Sequence, residues 1–210
     1  MKILPASLRP SREVKGGLIL AALLAAIPVA GIGQTPDAFD WQAKLQYHAE
    51  STYGPLAIVG IVAYAGILQD LNSPREWGQG GDAYGKRVAS TAACSGIHGM
   101  LAFGLDSALH QDPRYYRSGG TGFLRRTANA VRGTILTRTD AGGETLSTWR
   151  IGSAYGSAFL SNLWYPARLD NAHLGFVQGS MTLGFDLAKN LGAEFWPDIK
   201  RKVLRRKVSP

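Results

Sequence analysis

The chain has 210 residues, with 23 lysines and arginines against 15 acids, a net charge of +8 and 26 glycines; glycine is well above its usual share of ~7%. That length suits one domain with its own core rather than several. The single cysteine, Cys94, excludes an intrachain disulfide, and a mean hydropathy of −0.05 is low for a polytopic protein.

Residues 1–17 carry Lys2, Arg9, Arg12 and Lys15 against the one acid Glu13. An unbroken apolar run follows over 18–27, then Pro28 and the small residues Ala30, Gly31 and Gly33. This order of basic, apolar and small-residue segments predicts an export signal over residues 1–33, its apolar part short of the ~20 residues of a spanning helix. Residues 34–210 are then one exported domain. Export makes nucleic acid a poor partner for the basic charge and anionic lipid or a surface polymer a better one. No cysteine stands just after the apolar run, so a lipoprotein anchor is not expected.

Residues 40–50 predict an amphipathic lead-in with Trp41, Leu45 and His48 on its inner side. An apolar run spans 54–68 and is stopped by Asn72-Ser73-Pro74. Residues 76–85 form a glycine-rich loop. It lacks the Lys-Ser/Thr ending of a phosphate loop. A second uncharged run covers 88–105 and continues to His110, halting at Asp112-Pro113. The connector 114–138 holds six arginines and no acid. Turn chemistry at Asp140-Ala141-Gly142-Gly143 predicts a short hairpin near 134–149. A third apolar run, 151–165, closes at Pro166, and a fourth, 172–191, ends near Trp196-Pro197. The tail from 200 has six bases and no acid.

Helix is the expected state of the four runs: they are long, alanine- and leucine-containing, and do not alternate as strands of a barrel would. The fold class is therefore mainly α, a glycine-rich bundle of about four long helices. Gly152/Gly156, Gly175/Gly179 and Gly96 with Gly99 stand at spacings that let helices approach closely, within the chain or between copies of it in a homo-oligomer. If all four runs crossed a membrane, the mature N-terminus, the basic connector and the tail would share the non-cytoplasmic side. That runs against the preference for Lys and Arg inside, so a periplasmic or outer-membrane association is expected before an ordinary inner-membrane topology.

Two groups of residues stand out for function. Asp106 and His110 share a helix face, and Gln178, Thr182, Asp186 and Asn190 repeat every four residues in the fourth run. Ionisable groups in apolar helices are costly unless paired, which makes Asp106, His110 and Asp186 the candidates for acid–base work; the larger expectation is a structural polar seam or a wet face. One Asp and scattered histidines fall short of metal-ligand spacing, so no metal and no cofactor is expected. Ser153, Ser157 and Ser161 read as packing hydroxyls without a nucleophile elbow, and Cys94 as a small buried hydrophobe. The second group, Arg114, Tyr115, Tyr116, Arg117, Trp164, Tyr165 and Trp196, joins cations and rings to helix ends and is the candidate lipid- or polymer-binding set.

The segments Pro74-Arg75-Glu76-Trp77-Gly78-Gln79-Gly80, Tyr84-Gly85-Lys86-Arg87, Asp112-Pro113-Arg114-Tyr115-Tyr116-Arg117, Trp164-Tyr165-Pro166 and Phe195-Trp196-Pro197-Asp198-Ile199-Lys200-Arg201 resemble those of a family of uncharacterised exported bacterial envelope proteins. The resemblance implies a single domain and carries no activity. The sequence thus predicts a membrane-associated envelope protein, structural or lipid-facing and more a non-enzyme than an enzyme. The alternative is a small membrane enzyme or transport accessory using the Asp/His seam.

Overall fold

The computed structural model describes residues 39–206, with side chains described as far as residue 201. The expected export signal and the end of the basic tail lie outside the described residues. Helix α1 (Trp41–Tyr53) starts at Asp40, whose carboxylate accepts the Ala43 amide at 2.8 Å, a standard closure of the first orphan amides. Gly54 ends it and Pro55 opens α2 (Pro55–Asp70). After a 3₁₀ turn at Arg75–Trp77 the chain returns as α3 (Gly81–Ala108). Strand β1 (Gln111–Asp112), α4 (Phe123–Ile135), β2 (Leu136–Thr139) and β3 (Glu144–Leu146) follow. Helix α5 (Thr148–Ser161) and a 3₁₀ turn at Asn162–Trp164 lead into the long α6 (Ala172–Arg206).

The mainly helical bundle agrees with the pattern of apolar runs, and the hairpin is present as antiparallel β2–β3, with Leu136 opposite Leu146. Four details differ. The loop expected over 76–85 gives way to helix at Gly81, where α3 begins. The sheet has a third member, β1, whose Asp112 lies opposite Arg138. The arginine-rich connector contains α4. The fourth run continues through Trp196-Pro197 to Arg206. Pro197 removes one helical amide bond, but the residues on either side of it, Glu194 and Asp198, are both held by α4, and the helix carries on.

Helix α3 is central, with α1 and α2 on one side and α5 on the other; α6 packs on α5 and then on α4. The glycines sit at these contacts. A Cβ on Gly152 or Gly156 would come within 2.7 or 2.9 Å of Leu105 or Leu101, and one on Gly175 or Gly179 within 2.6 or 2.3 Å of the Phe159 or Tyr155 ring. The small faces expected to serve close packing are thus filled inside one chain.

Interior and exterior are reversed from the usual arrangement. The largest fully buried side chains include Arg87, Lys44, Glu194 and Asp106, while the buried aliphatic residues are mostly alanines. Outside stand Leu56, Ile58, Val59 and Val62 on α2, Phe159, Leu160 and Leu163 at α5, and Phe176, Val177 and Met181 on α6. Helix α1 departs from the expected lead-in: Trp41 and Leu45 are exposed beside Gln42, Gln46 and Glu50, while Lys44 is buried together with His48, whose inner position was expected.

The packing makes a direct prediction. Gly179→Ala gains helix propensity of about 1 kcal/mol but forces its methyl into the Tyr155 ring. Overpacking of this kind costs roughly 1–3 kcal/mol, so a net loss in thermal stability is expected. Gly104→Ala, with nothing within 4 Å of its new methyl, should be neutral or stabilising.

Candidate functional site

The polar stripe of α6 organises the interior. Steps of four residues drift by about 40° around a helix, so the stripe faces first α5 and then α4. Gln178 accepts from Ser161 at 3.2 Å. Asp186 pairs with Arg150 of α5 at 3.7 Å and with Lys189 at 3.4 Å. Asn190 donates to Thr134 of α4 at 2.9 Å. The same period continues to Glu194 and Asp198, which take Asn129 and Arg126 of α4. The stripe is a seam between helices and not a wet face.

Asp106 and His110 part company. Asp106, fully buried, meets His48 Nε2 at 2.6 Å, and its carbonyl accepts from Lys44 at 3.3 Å. Lys44 also pairs with Asp140 at 2.8 Å. His110 is 82% exposed at the helix end, 3.8 Å from Asp140. The three candidates for acid–base work therefore do not share one site: Asp106 belongs to a His48–Lys44 cluster, Asp186 to an Arg150–Lys189 cluster, and His110 to the surface. Between them the Trp149 ring packs edge-on to His48 at 5.6 Å and lies under the Arg150 guanidinium at 4.5 Å.

The serines of α5 close local bonds to carbonyls three residues back, at 3.2 Å from Ser153 and Ser157 and 2.7 Å from Ser161, which is how a hydroxyl is satisfied inside a helix. Ser153 also lies 3.1 Å from His98 Nε2. Cys94 is half-buried. Among the described residues no group of three or more His, Cys, Asp or Glu side chains stands ready to hold a metal.

The cation–ring segments lie at opposite ends of the bundle. At the far end of α3, Arg114 grips Asp112 with two nitrogens, at 2.9 and 2.6 Å, and stacks over Phe39. Tyr116 donates to the same carboxylate at 2.6 Å, and Tyr115 donates to Glu194 at 2.7 Å. These groups clasp the connector to the bundle; Arg117 alone of the four is exposed. At the near end Trp164 donates to Ser90 at 2.9 Å and Tyr165 stacks on Trp77. Arg87, wholly buried, donates to the carbonyls of Ser73 and Pro74 and to Gln69 at 2.6–2.9 Å, closing the α2–α3 turn. Trp196 is half-buried on α6.

The carboxylates that hold the connector show the electrostatics. Burial pushes the Asp112 carboxyl up, but the hydrogen bonds from Arg114 and Tyr116 outweigh it and hold it below its ordinary 3.8. Burial, together with the bond to Asp112, raises the Tyr116 phenol to about 12. Burial likewise opposes ionisation of Glu194, and the Ser118 amide, Tyr115 and Asn129 reverse it, leaving the carboxyl below 4.5.

Sequence reasoning singled out Asp186 and Asp106 but missed their partners Arg150, Lys44 and His48, and missed Arg87 and Glu194. A usable signal was present: Lys44 and His48 stand four apart, and Glu194 continues the four-residue period of the stripe. No family model matches the chain, and neither a curated protein nor a solved structure is significantly similar to it.

Two outcomes are expected. Arg150→Met leaves Asp186 buried with only Lys189 and should cost about 3–5 kcal/mol, as should Asp186→Leu, whereas the double variant should recover much of the loss. Losses that simply add in a double-mutant cycle of unfolding would remove the coupling. For Glu194, the folded carboxyl ionises below its unfolded value. Its stabilisation is therefore complete above about pH 5 and disappears as pH falls through the folded value. The gap in melting temperature between the parent and Glu194→Gln should be constant near neutrality and close below pH 4.5.

Proposed function

We infer that the chain is an exported, membrane-embedded helical protein of the cell envelope, structural and lipid-facing in role and without catalytic activity. The observation that carries this reading is the reversed distribution of side chains: paired charges within, uncovered aliphatic and aromatic residues without. In water such an exterior is unfavourable, and an apolar area this broad marks contact with a membrane or a partner. In hydrocarbon the same exterior is matched to its solvent, and every polar group is instead obliged to find an internal partner.

Charge placement supports the same reading. Residues 54–68, 88–105, 151–165 and 172–185 contain no Asp, Glu, Lys or Arg, and their helices pack side by side. The ends are charged, and the aromatic corners at Trp164-Tyr165 and at Tyr115-Tyr116 stand where interfacial rings are favoured. Two helical stretches, Trp41–Asp70 and Gly81–Ala108, have windows of mean hydropathy 1.6 and 1.3 of which only 11% and 17% is buried. A core helix of a soluble protein is mostly buried, and the low burial of these stretches fits a cover from outside the chain. The catalytic alternative has less behind it, since Asp106 and Asp186 each already hold a cationic or imidazole partner.

Fractionation of cells expressing the full chain tests the reading. The protein should carry a processed N-terminus near residue 34 by mass spectrometry, stay with membranes through alkaline carbonate and leave them only in detergent. Release into the carbonate wash would overturn the embedded reading.

A further inference from the structure

Helix α4 is amphipathic the wrong way round for a helix covered by water. Its inner face is polar: Arg126 pairs with Asp198 and lies 3.5 Å from Glu194, Asn129 bonds Glu194, and Thr134 accepts from Asn190. Its outer face carries Leu124, Ala128, Val131 and Ile135, all exposed, and at about 100° per residue these four form one stripe. Leu124 is 80% exposed, and Phe123 beside it 70%. Arg125 and Arg132 both stand about a quarter-turn from the stripe on the same flank. Arg117, in the loop that leads into the helix, is exposed as well. Arg132 is paired with Glu144; Arg117 and Arg125 have no carboxylate partner among the described residues.

We propose that this stripe docks on an anionic bilayer surface, with Leu124, Ala128, Val131 and Ile135 at the boundary of headgroups and acyl chains and Arg117 and Arg125 on the lipid phosphates. The proposal rests on the embedded reading for its setting, but not for its observations. An apolar stripe flanked by arginines is the pattern of helices that lie in a membrane interface, and long cationic side chains there reach outward to phosphate. Charge complementarity selects the lipid: of the six arginines in the acid-free connector 114–138, Arg117 and Arg125 are left without a carboxylate among the described residues, and the adjoining α6 adds exposed Lys200.

The length of α6 leaves room for this. At 35 residues it measures roughly 50 Å, well beyond the ~30 Å of a hydrocarbon core. Its overhang is the part that α4 covers, with Thr134 against Asn190, Asn129 against Glu194 and Arg126 against Asp198. The two helices therefore run antiparallel along the overhang. Since α6 is one continuous helix, the proposal requires it to cross at a steep tilt, so that its overhang and α4 lean onto the bilayer surface and do not stand away from it.

The experiment uses the full chain with Cys94→Ser, reconstituted in vesicles of phosphatidylcholine alone or mixed with phosphatidylglycerol. A polarity-sensitive fluorophore is placed on Leu124→Cys, on Val59→Cys of the α2 exterior, or on Lys86→Cys as a water-exposed control. Lipid-borne nitroxides at headgroup and mid-chain depth then quench it. The expected result is a blue-shifted label at 124, quenched best from headgroup depth, alongside a label at 59 quenched best from mid-chain depth. The signal at 124 should strengthen with phosphatidylglycerol and weaken with added salt or with Arg117→Gln/Arg125→Gln, while that at 59 does not change. A water-exposed 124 beside a lipid-quenched 59 overturns this proposal and leaves the embedded reading standing; the converse overturns the embedded reading alone. A label at 124 that is shielded from water yet not quenched by lipid overturns the proposal in favour of a second copy or another protein. Equal quenching in both vesicle types overturns the choice of anionic lipid.

Discussion

The inward polar stripe of α6 is the constraint on which the rest of the structure depends. Six side chains at four-residue steps, from Gln178 to Asp198, all need partners in a bundle whose outside is apolar. Each buried charge left alone would cost several kcal/mol. The chain answers by bringing Arg150 on α5 and Asn129 and Arg126 on α4 to face them in turn. The angular drift of the stripe then dictates the arrangement: α5 covers the first part of α6 and α4 the second. The basic connector folds into a helix because the second half of the stripe has to be satisfied by something.

The apolar parts follow from the same logic by different means. On the embedded reading proposed above, helix association rests on close packing and internal polar bonds. Glycines at 152, 156, 175 and 179 let leucine side chains and aromatic rings of the next helix settle against the backbone. The polar seam chooses which helices meet, and the glycines set how near they come.

The helical runs, the β2–β3 hairpin and the glycine faces were legible because each is a local property: a long uncharged run, a turn sequence, a four-residue spacing. The direction each helix faces was not. For α1 the apolar spacing put Trp41, Leu45 and His48 on the inner side, and of these only His48 lies there, because Lys44 and His48 are drawn in by Asp140 and Asp106. Helix α4 was hidden by its composition, since a segment rich in arginine and glycine offers few apolar residues until they are placed on a wheel. The passage of α6 through Pro197 was illegible for another reason: what sustains it is the grip of α4 on Glu194 and Asp198, and neither contact is local. At the candidate site the acids were visible as charges in apolar runs. Their partners lay 36 to 62 positions away and depended on the fold.

The two ends of the α1–α3 unit are fastened by contacts of very different reach. The Arg87 clasp joins residues 13 to 18 positions apart, so the α2–α3 hairpin closes with partners that leave the ribosome almost together. Lys44 is held by Asp140, 96 positions further on. The hairpin is therefore complete as a local unit, while the first helix, joined to α3 through His48 and Asp106, gains the last partner of Lys44 only after the hairpin turn of the small sheet has been made. The entry of the chain is latched by its middle, which gives the architecture a built-in order of assembly from one end of the bundle to the other.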